Sequence, residues 1–521
     1  MFRPKLFFWN SVPSARCSDA SPDAAVQTEE HRPVDSVRRP AGWCDSCLGG
    51  AAMSARSILL IVLWLAALTA VGGAAWAEGP VPPSTELPQV LSLDDALHIF
   101  RTRGLELLMA EAAVRSAEGA VKMAGAVPNP VFSASLGDAF TYTTKDPSCQ
   151  FTGPSTTPTN YVSCTNQVWN VGIADSAAIE DTVSGKRDLR FKVARNALAA
   201  AKMTRVDAER TLTFQVASAY LQVAQAVLGY KFAKDVADSN TTILDKFKVK
   251  YSSGAINDGD LARMETQKAE SDQALDTANQ ALRQARVALA FLLGVRGEVS
   301  DFDVDTKVLD YAVPSALSGA TEVGLLRMAF DHRPDLVSAG YNIASAAAQL
   351  ELVNRQKFPD ITLSLNYAQG GYGGSGTNAA LQTPMLTFGV SAPLPVFYQL
   401  QGEQRQAEAQ LDTNALQHAQ TAKQVASDVS TAYAAFMMTQ KLVLRMEKGE
   451  PEAKVRPILE SAKVALDITR MQYEKGAASL SDFLLALQTY IATKVEYFGD
   501  LTNYWTAVYQ LEEAVAMELR P

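Results

Sequence analysis

The chain has 521 residues, 47% of them hydrophobic and 20% charged, with a formal net charge of -9. The acidic balance argues against nucleic acid as a partner, and the four histidines, His31, His98, His332 and His418, are too dispersed in sequence to suggest a metal site. There is no GxxxxGK[ST] nucleotide loop and no recognisable Ser-His-Asp or Cys-His motif, so neither an enzyme nor a cofactor is expected.

Residues 1–52 are rich in Pro, Ser and Arg and carry neither a helical nor a strand period. Met53-Ser54-Ala55-Arg56 then opens an apolar run from Ile58 to Ala70, which closes on Ala75-Trp76-Ala77. A basic start, a short apolar core and an A-x-A end describe a secretory signal peptide. The expectation is therefore that translation starts at Met53, that residues 53–77 are the signal peptide, and that residues 1–52 are a non-native extension. The alternative is an anchor or a long leader. Cys17, Cys44 and Cys47 fall in that extension, where one C-x-x-C without a second pair is weak evidence for zinc or redox chemistry. Cys149 and Cys164 remain, and an even pair in an exported chain reads as a disulfide.

After Ala77 no stretch of 18 apolar residues occurs, so no transmembrane helix is predicted. Residues 79–88 form a Pro-rich lead-in. Helical periodicity over residues 92–126 begins at Ser92 as N-cap, with Asp94 and Asp95 in the first turn, and Pro128 and Pro130 end it. The period then changes to two. Phe132, Ala134, Leu136, Phe140 and Tyr142 alternate with small or polar residues, although Asp138 breaks the apolar face. Trp169, Val171 and Ile173 do the same, as do Ile361, Leu363, Leu365 and Tyr367, and then Leu386, Phe388, Val390 and Ala392. Each predicted strand runs for about 8–11 residues, enough to cross a bilayer when tilted. Long polar connections at 143–167 and 368–385, with Tyr and Trp near strand ends, suit an outer-membrane barrel, but a soluble sheet packed on a core gives the same alternation.

The helices shift that balance. From about Ser184 to Tyr251 there is no proline and little glycine, which predicts a helix of ~100 Å at ~1.5 Å per residue. A second runs from Asp258 to Leu293. The later half repeats this from Gln399 to Tyr473 and from Ser481 to Glu518. Helices of this length need lateral partners along their whole extent, as in a coiled coil or an α-barrel. Gly449-Glu450-Pro451 and Pro457 predict a break or short insert in the later long helix.

The chain is duplicated. YSSGAINDGDL at 251–261 aligns with YEKGAASLSDF at 473–483, so that Tyr251, Gly254, Ala255 and Asp260 match Tyr473, Gly476, Ala477 and Asp482. PNPVFSAS at 128–135 likewise corresponds to PDITLSLN at 359–366. The predicted repeats are residues 90–310 and 320–518, each a helix, two strands, a long helix and a returning helix.

With its LSLDDAL start at 91–97, the PNP at 128–130, the SGKR at 184–187 and the twin YxxGxxxxxD turns, the chain resembles the TolC-like outer-membrane efflux family over roughly residues 90–518. The resemblance implies a mainly α chain with a β-barrel part. In such proteins three subunits each give four strands to one 12-stranded transmembrane barrel, and the helices continue it as an α-barrel tunnel through the periplasm, girdled by a mixed equatorial belt. The implied function is a passive export conduit of a tripartite efflux or type I secretion system. Its implied partners are two further copies, a periplasmic adaptor, an inner-membrane pump of RND or ABC type, and outer-membrane lipid. The implied periplasmic tip is formed by the two turns, carrying Tyr251, Gly254, Asp260, Tyr473, Gly476 and Asp482. Asp482 falls on a position where relatives narrow the tunnel with acidic side chains. Leu485-Ala486-Leu487 stands where many relatives carry a second acid. The plainer reading is that Asp260 and Asp482 cap the returning helices, and the two roles are compatible. Independently of any relative, four strands cannot close a barrel, and open edges in lipid leave backbone groups unsatisfied, so assembly is required. The competing function is a periplasmic or surface coiled-coil scaffold, which has no need of four alternating strands.

Overall fold

The computed structural model describes residues 84, 86–138, 167–176, 178–299, 301–369, 385–449 and 456–519. The expected extension and signal peptide, Phe140, Tyr142, and the pair Cys149 and Cys164 lie outside the described residues.

The first helical region is two helices rather than one. α1 (Leu93–Arg103) starts as expected, with Ser92 Oγ accepting from Asp95 N at 3.1 Å. It stops at Gly104, where α2 (Leu105–Gly125) begins. The cause is tertiary. Phe100 is buried in the core, and its ring lies over residue 104 so closely that a Cβ there would sit 2.7 Å from it. The later half repeats the break by different chemistry. α6 (Glu322–His332) ends before α7 (Pro334–Gln356), because Arg333 precedes a proline and adopts extended backbone.

Each half then gives two strands and its long helices. β2 (Val131–Asp138) and β3 (Gln167–Ala174) are followed by a short α3 (Ala178–Val183), then α4 (Lys186–Ser252) and α5 (Asp258–Leu292). β5 (Thr362–Gln369) and β6 (Met385–Ser391) are followed by α8 (Gln401–Glu447), α9 (Ile458–Glu474) and α10 (Leu480–Val515). α4 is unbroken over 67 residues, about 100 Å. Its counterpart is interrupted between Glu447 and Ile458, where Gly449 adopts a left-handed φ of 69° and Pro457 stands at the entry to α9.

The hydrophobic core lies across the middle of the long helices. It joins Leu97, Phe100 and Leu107 to Val216–Val227 of α4, Leu282–Leu293 of α5, Val425–Val443 of α8 and Leu501–Val515 of α10. A two-residue parallel pairing of β1 (Val90–Leu91) with β4 (Asp303–Val304) crosses this region, followed by two 3-10 turns at Thr306–Leu309 and Ser315–Leu317. Three aromatic side chains tie this belt to the helices. Tyr504 Oη donates to Ala312 O at 2.8 Å, and Trp505 Nε1 donates to Asp310 O at 3.3 Å. Tyr220, fully buried, donates to Leu91 O at 2.9 Å and accepts from Asp305 N at 3.0 Å. Burial pushes its phenol up to about 12, so it stays protonated at physiological pH. Tyr220→Phe leaves both backbone groups without this partner in the core and is expected to cost about 1–3 kcal/mol. Thermal unfolding of the variant against wild type checks this.

The four strands form one antiparallel sheet in the order β2-β3-β5-β6. The SGKR segment anchors both helices that enter it. Buried Lys186 Nζ donates to Phe358 O, just beyond α7, at 2.7 Å and to Asp360 Oδ1 at 2.6 Å. Arg187 donates through Nε and Nη2 to Gly125 O, the last carbonyl of α2, at 2.9 and 2.6 Å. Cationic donors suit the exposed carbonyls of a helix C-terminus. Two adjacent residues thus fix the points where both halves turn from helix to strand.

Candidate functional site

Two regions carry the functional geometry, the sheet and the pair of turns. In the sheet the register sorts side chains by face. Phe132, Ile173, Leu365 and Phe388 form one cross-strand row over all four strands, and all four are exposed. The next row, on the opposite face, is Ser133, Gly172, Asn366 and Thr387. Trp169 and Tyr367 meet on the apolar face toward the ends of β3 and β5 that border the long connections, with ring centroids 5.3 Å apart. The sheet therefore has one apolar outer face with interfacial aromatics and one small, polar face. Among the described residues, its outer strands, β2 and β6, are each paired along one edge only. No helix among the described residues is long and apolar enough to cross a membrane.

Both turns are built alike, as the matched sequences require. Gly254 and Gly476 have φ of 70° and 73°, the left-handed conformation glycine adopts at low cost. Ala255 N donates back to Lys250 O at 2.9 Å, and Ala477 N to Gln472 O at 2.8 Å, closing each helix in the manner of a Schellman turn. The caps of the returning helices are Asn257, whose Oδ1 accepts from Asp260 N at 2.8 Å, and Ser479, whose Oγ accepts from Asp482 N at 3.1 Å. Asp260 and Asp482 thus stand at the third helical position and are not the N-caps. Asp482 completes a reciprocal capping box, its Oδ2 accepting from Ser479 N at 3.1 Å and Ser479 Oγ at 2.7 Å. Those hydrogen bonds hold its carboxyl below the usual carboxylate range. The side chain is exposed, as is that of Leu485 one turn on.

The tyrosines are not equivalent. Tyr473 is stacked between Phe247 and Phe483, at centroid distances of 5.9 and 5.8 Å and interplanar angles of 8° and 15°. Lys250 Nζ lies 5.5 Å from its ring centre, a cation over an aromatic face. Around this stack Leu244, Met264 and Leu480 form a second small core. Tyr251 is exposed. Polar links add to the stack. Arg263 Nη1 lies 3.8 Å from Asp260 Oδ1 and donates to Ser481 Oγ at 3.3 Å, and Gln488 Nε2 donates to Gln267 Oε1 at 3.2 Å. The two turns are therefore brought together through Tyr473 and Arg263. Phe247, Phe483 and Arg263 are contributors that sequence reasoning missed. Sequence reasoning gave the capping to Asp260 and Asp482 and so missed the N-caps Asn257 and Ser479 as well, and no local signal marks the stack.

The outer membrane efflux protein family model matches residues 97–295 and 325–516. The chain is 24% identical over 405 residues to the pyoverdine export outer membrane protein OpmQ of Pseudomonas aeruginosa, covering 77% of this chain and 80% of that protein. It is 22% identical over 422 residues to the cobalt-zinc-cadmium resistance protein CzcC of Cupriavidus metallidurans, covering 81% and 89%. Among solved structures it resembles CusC (TM-score 0.63, 18% identity, 84% of this chain and 97% of that one) and the outer-membrane channel OprN (TM-score 0.64, 16% identity, 82% and 91%). With both halves of its duplicated architecture matched, the chain belongs to the outer membrane efflux protein family.

Proposed function

We propose that this chain is one subunit of a homotrimeric channel and serves as the passive outer-membrane conduit of a tripartite efflux or type I secretion system. The observation that carries the reading is a four-stranded sheet with one apolar face and, among the described residues, two open edges, continuous with helices of about 100 and 70 Å. Three such sheets make a closed twelve-stranded barrel, and the helices extend it as a tunnel across the periplasm. The turns at 251–261 and 473–483 form the periplasmic tip, where a helical adaptor docks, with energy and cargo choice supplied by an inner-membrane pump. Of the six tip residues read from the sequence, Tyr251, Gly254, Gly476 and Asp482 are exposed, and Asp260 and Tyr473 are half-buried. Cys149 and Cys164 are proposed to form a disulfide in a connection facing the cell exterior.

Threefold symmetry would set three Asp482 carboxylates around the tunnel axis, a ring that favours cations. The Ser479 hydrogen bonds hold each carboxyl low and favour its charged form, against the mutual repulsion of three like charges around one axis. In planar bilayers, Asp482→Asn is expected to lower the cation-to-anion permeability ratio severalfold. Ser479→Ala, which removes the cap and keeps the charge, should retain the ratio. Equal ratios in wild type and Asp482→Asn would remove Asp482 from the constriction.

A further inference from the structure

The connection from β6 to α8 carries an apolar segment left exposed among the described residues. Leu394 and Val396 are exposed, and Phe397 is 100% exposed. The segment is nevertheless fixed. Val396 N donates to Leu394 O at 2.8 Å. Tyr398 Oη donates to Glu403 Oε2 at 2.7 Å and accepts from Gly402 N at 2.9 Å. A side chain at residue 402 would collide with that hydroxyl. Phe397 is therefore presented on a braced loop.

The sheet topology says what meets it. Strand directions alternate through β2-β3-β5-β6, so β6 runs opposite to β2. Backbone groups at both open edges need partners within a membrane. Antiparallel joining of β6 to β2 of a second copy continues the alternation and sets Ser391, the last residue of β6, beside Val131, the first residue of the partner's β2. Residues 392–398 then run past the segment that enters β2, where Met123 and Val127 are also exposed. One apolar cluster follows the β6 edge and the other precedes the β2 edge, on opposite flanks of one chain. A head-to-tail contact of this kind makes a ring when the rotation between copies closes, as the trimeric reading requires.

We infer that Phe397, with Leu394 and Val396, packs on Met123 and Val127 of the adjacent copy and forms an apolar seam where barrel meets helices. The inference rests on the trimeric reading above. The test is the full chain in a cysteine-free background with Phe397→Cys and Val127→Cys together, treated in outer membranes with a short bifunctional maleimide. Covalent dimers and trimers are expected from the double variant and neither from the single ones. Absence of that ladder, with the chain still trimeric on a native gel, overturns the seam and leaves the channel standing. A monomer on the native gel overturns both. Phe397→Ser is expected to lose the heat-resistant trimer and Phe397→Leu to keep it. Equal heat resistance in both variants would also count against the seam.

Discussion

Phe388→Arg is expected to block outer-membrane assembly, whereas Thr387→Arg, one residue away, is expected to leave it largely intact. Phe388 lies in the apolar row with Phe132, Ile173 and Leu365, and Thr387 lies in the polar row with Ser133, Gly172 and Asn366. Successive side chains of a strand point to opposite faces, so the two substitutions put the same charge in opposite environments. On the lipid face, arginine costs about 2–4 kcal/mol near the bilayer midplane. That is a factor of roughly 30 to 800 per copy, and three copies carry it in each trimer. On the lumenal face the guanidinium meets water. The measurement is the fraction of chain recovered as heat-resistant trimer from purified outer membranes. Equal recovery of the two variants would mean that the sheet has no lipid face and would favour the scaffold reading.

The second large effect is expected at Arg333. Its side chain is 5% exposed. Nε and Nη2 grip Asp335 at 3.1 and 2.7 Å, while Nη1 donates to Asp428 at 2.8 Å and reaches Ala514 O at 3.5 Å. The guanidinium thus joins the start of α7 to α8 and to the end of α10. Arg210 adds a neighbouring contact, donating to Glu513 O. Arg333→Met leaves two carboxylates facing each other without their cation. Breaking a buried pair in this way costs about 3–5 kcal/mol, and the partial exposure of both acids places the expected loss near the lower figure. Arg333→Lys is expected to recover only part of it, because an ammonium cannot make the two-pronged contact with Asp335. Far-UV circular dichroism during chemical denaturation reads all three chains.

The same site makes a pH prediction. Burial raises the Asp335 carboxyl, but the hydrogen bonds and charge of Arg333 outweigh it, and the net shift is downward. A depressed carboxyl contributes stability above its unfolded value, and that contribution is lost as pH falls through the folded one. Wild type is therefore expected to weaken below about pH 4 more steeply than Arg333→Met, which has already lost the contribution.

Periodicity made the long elements legible. The strands around Phe132, Ile173, Leu365 and Phe388 announce themselves by alternation, and α4 by its unbroken run of helix formers. The twin turns were legible because Gly254 and Gly476 serve a backbone conformation that sequence spacing preserves. What escaped depends on residues distant in the chain. Glycine is required at 104, where α1 stops, because the Phe100 ring leaves no room for a Cβ, and nothing near Gly104 in the sequence shows that. Phe247 reads as one more apolar residue of α4 until Tyr473, from the other half, stacks on it. Arg333 carried only the local mark of preceding a proline, since Asp428 and Ala514 come from other helices. At the turns, sequence matching paired Asp482 with Asp260, and both stand at the third position of a returning helix. The part of Asp482 in the capping box depends on Ser479, and the pore role proposed for it depends on copies related by symmetry.

Cryo-electron microscopy of the full chain extracted by detergent from outer membranes is expected to show a threefold particle with one closed twelve-stranded barrel, β6 of each copy joined to β2 of the next, and a helical tunnel continuous beneath it. A particle with unclosed four-stranded sheets, or recovery of the chain without detergent as a soluble helical rod, would contradict the channel reading.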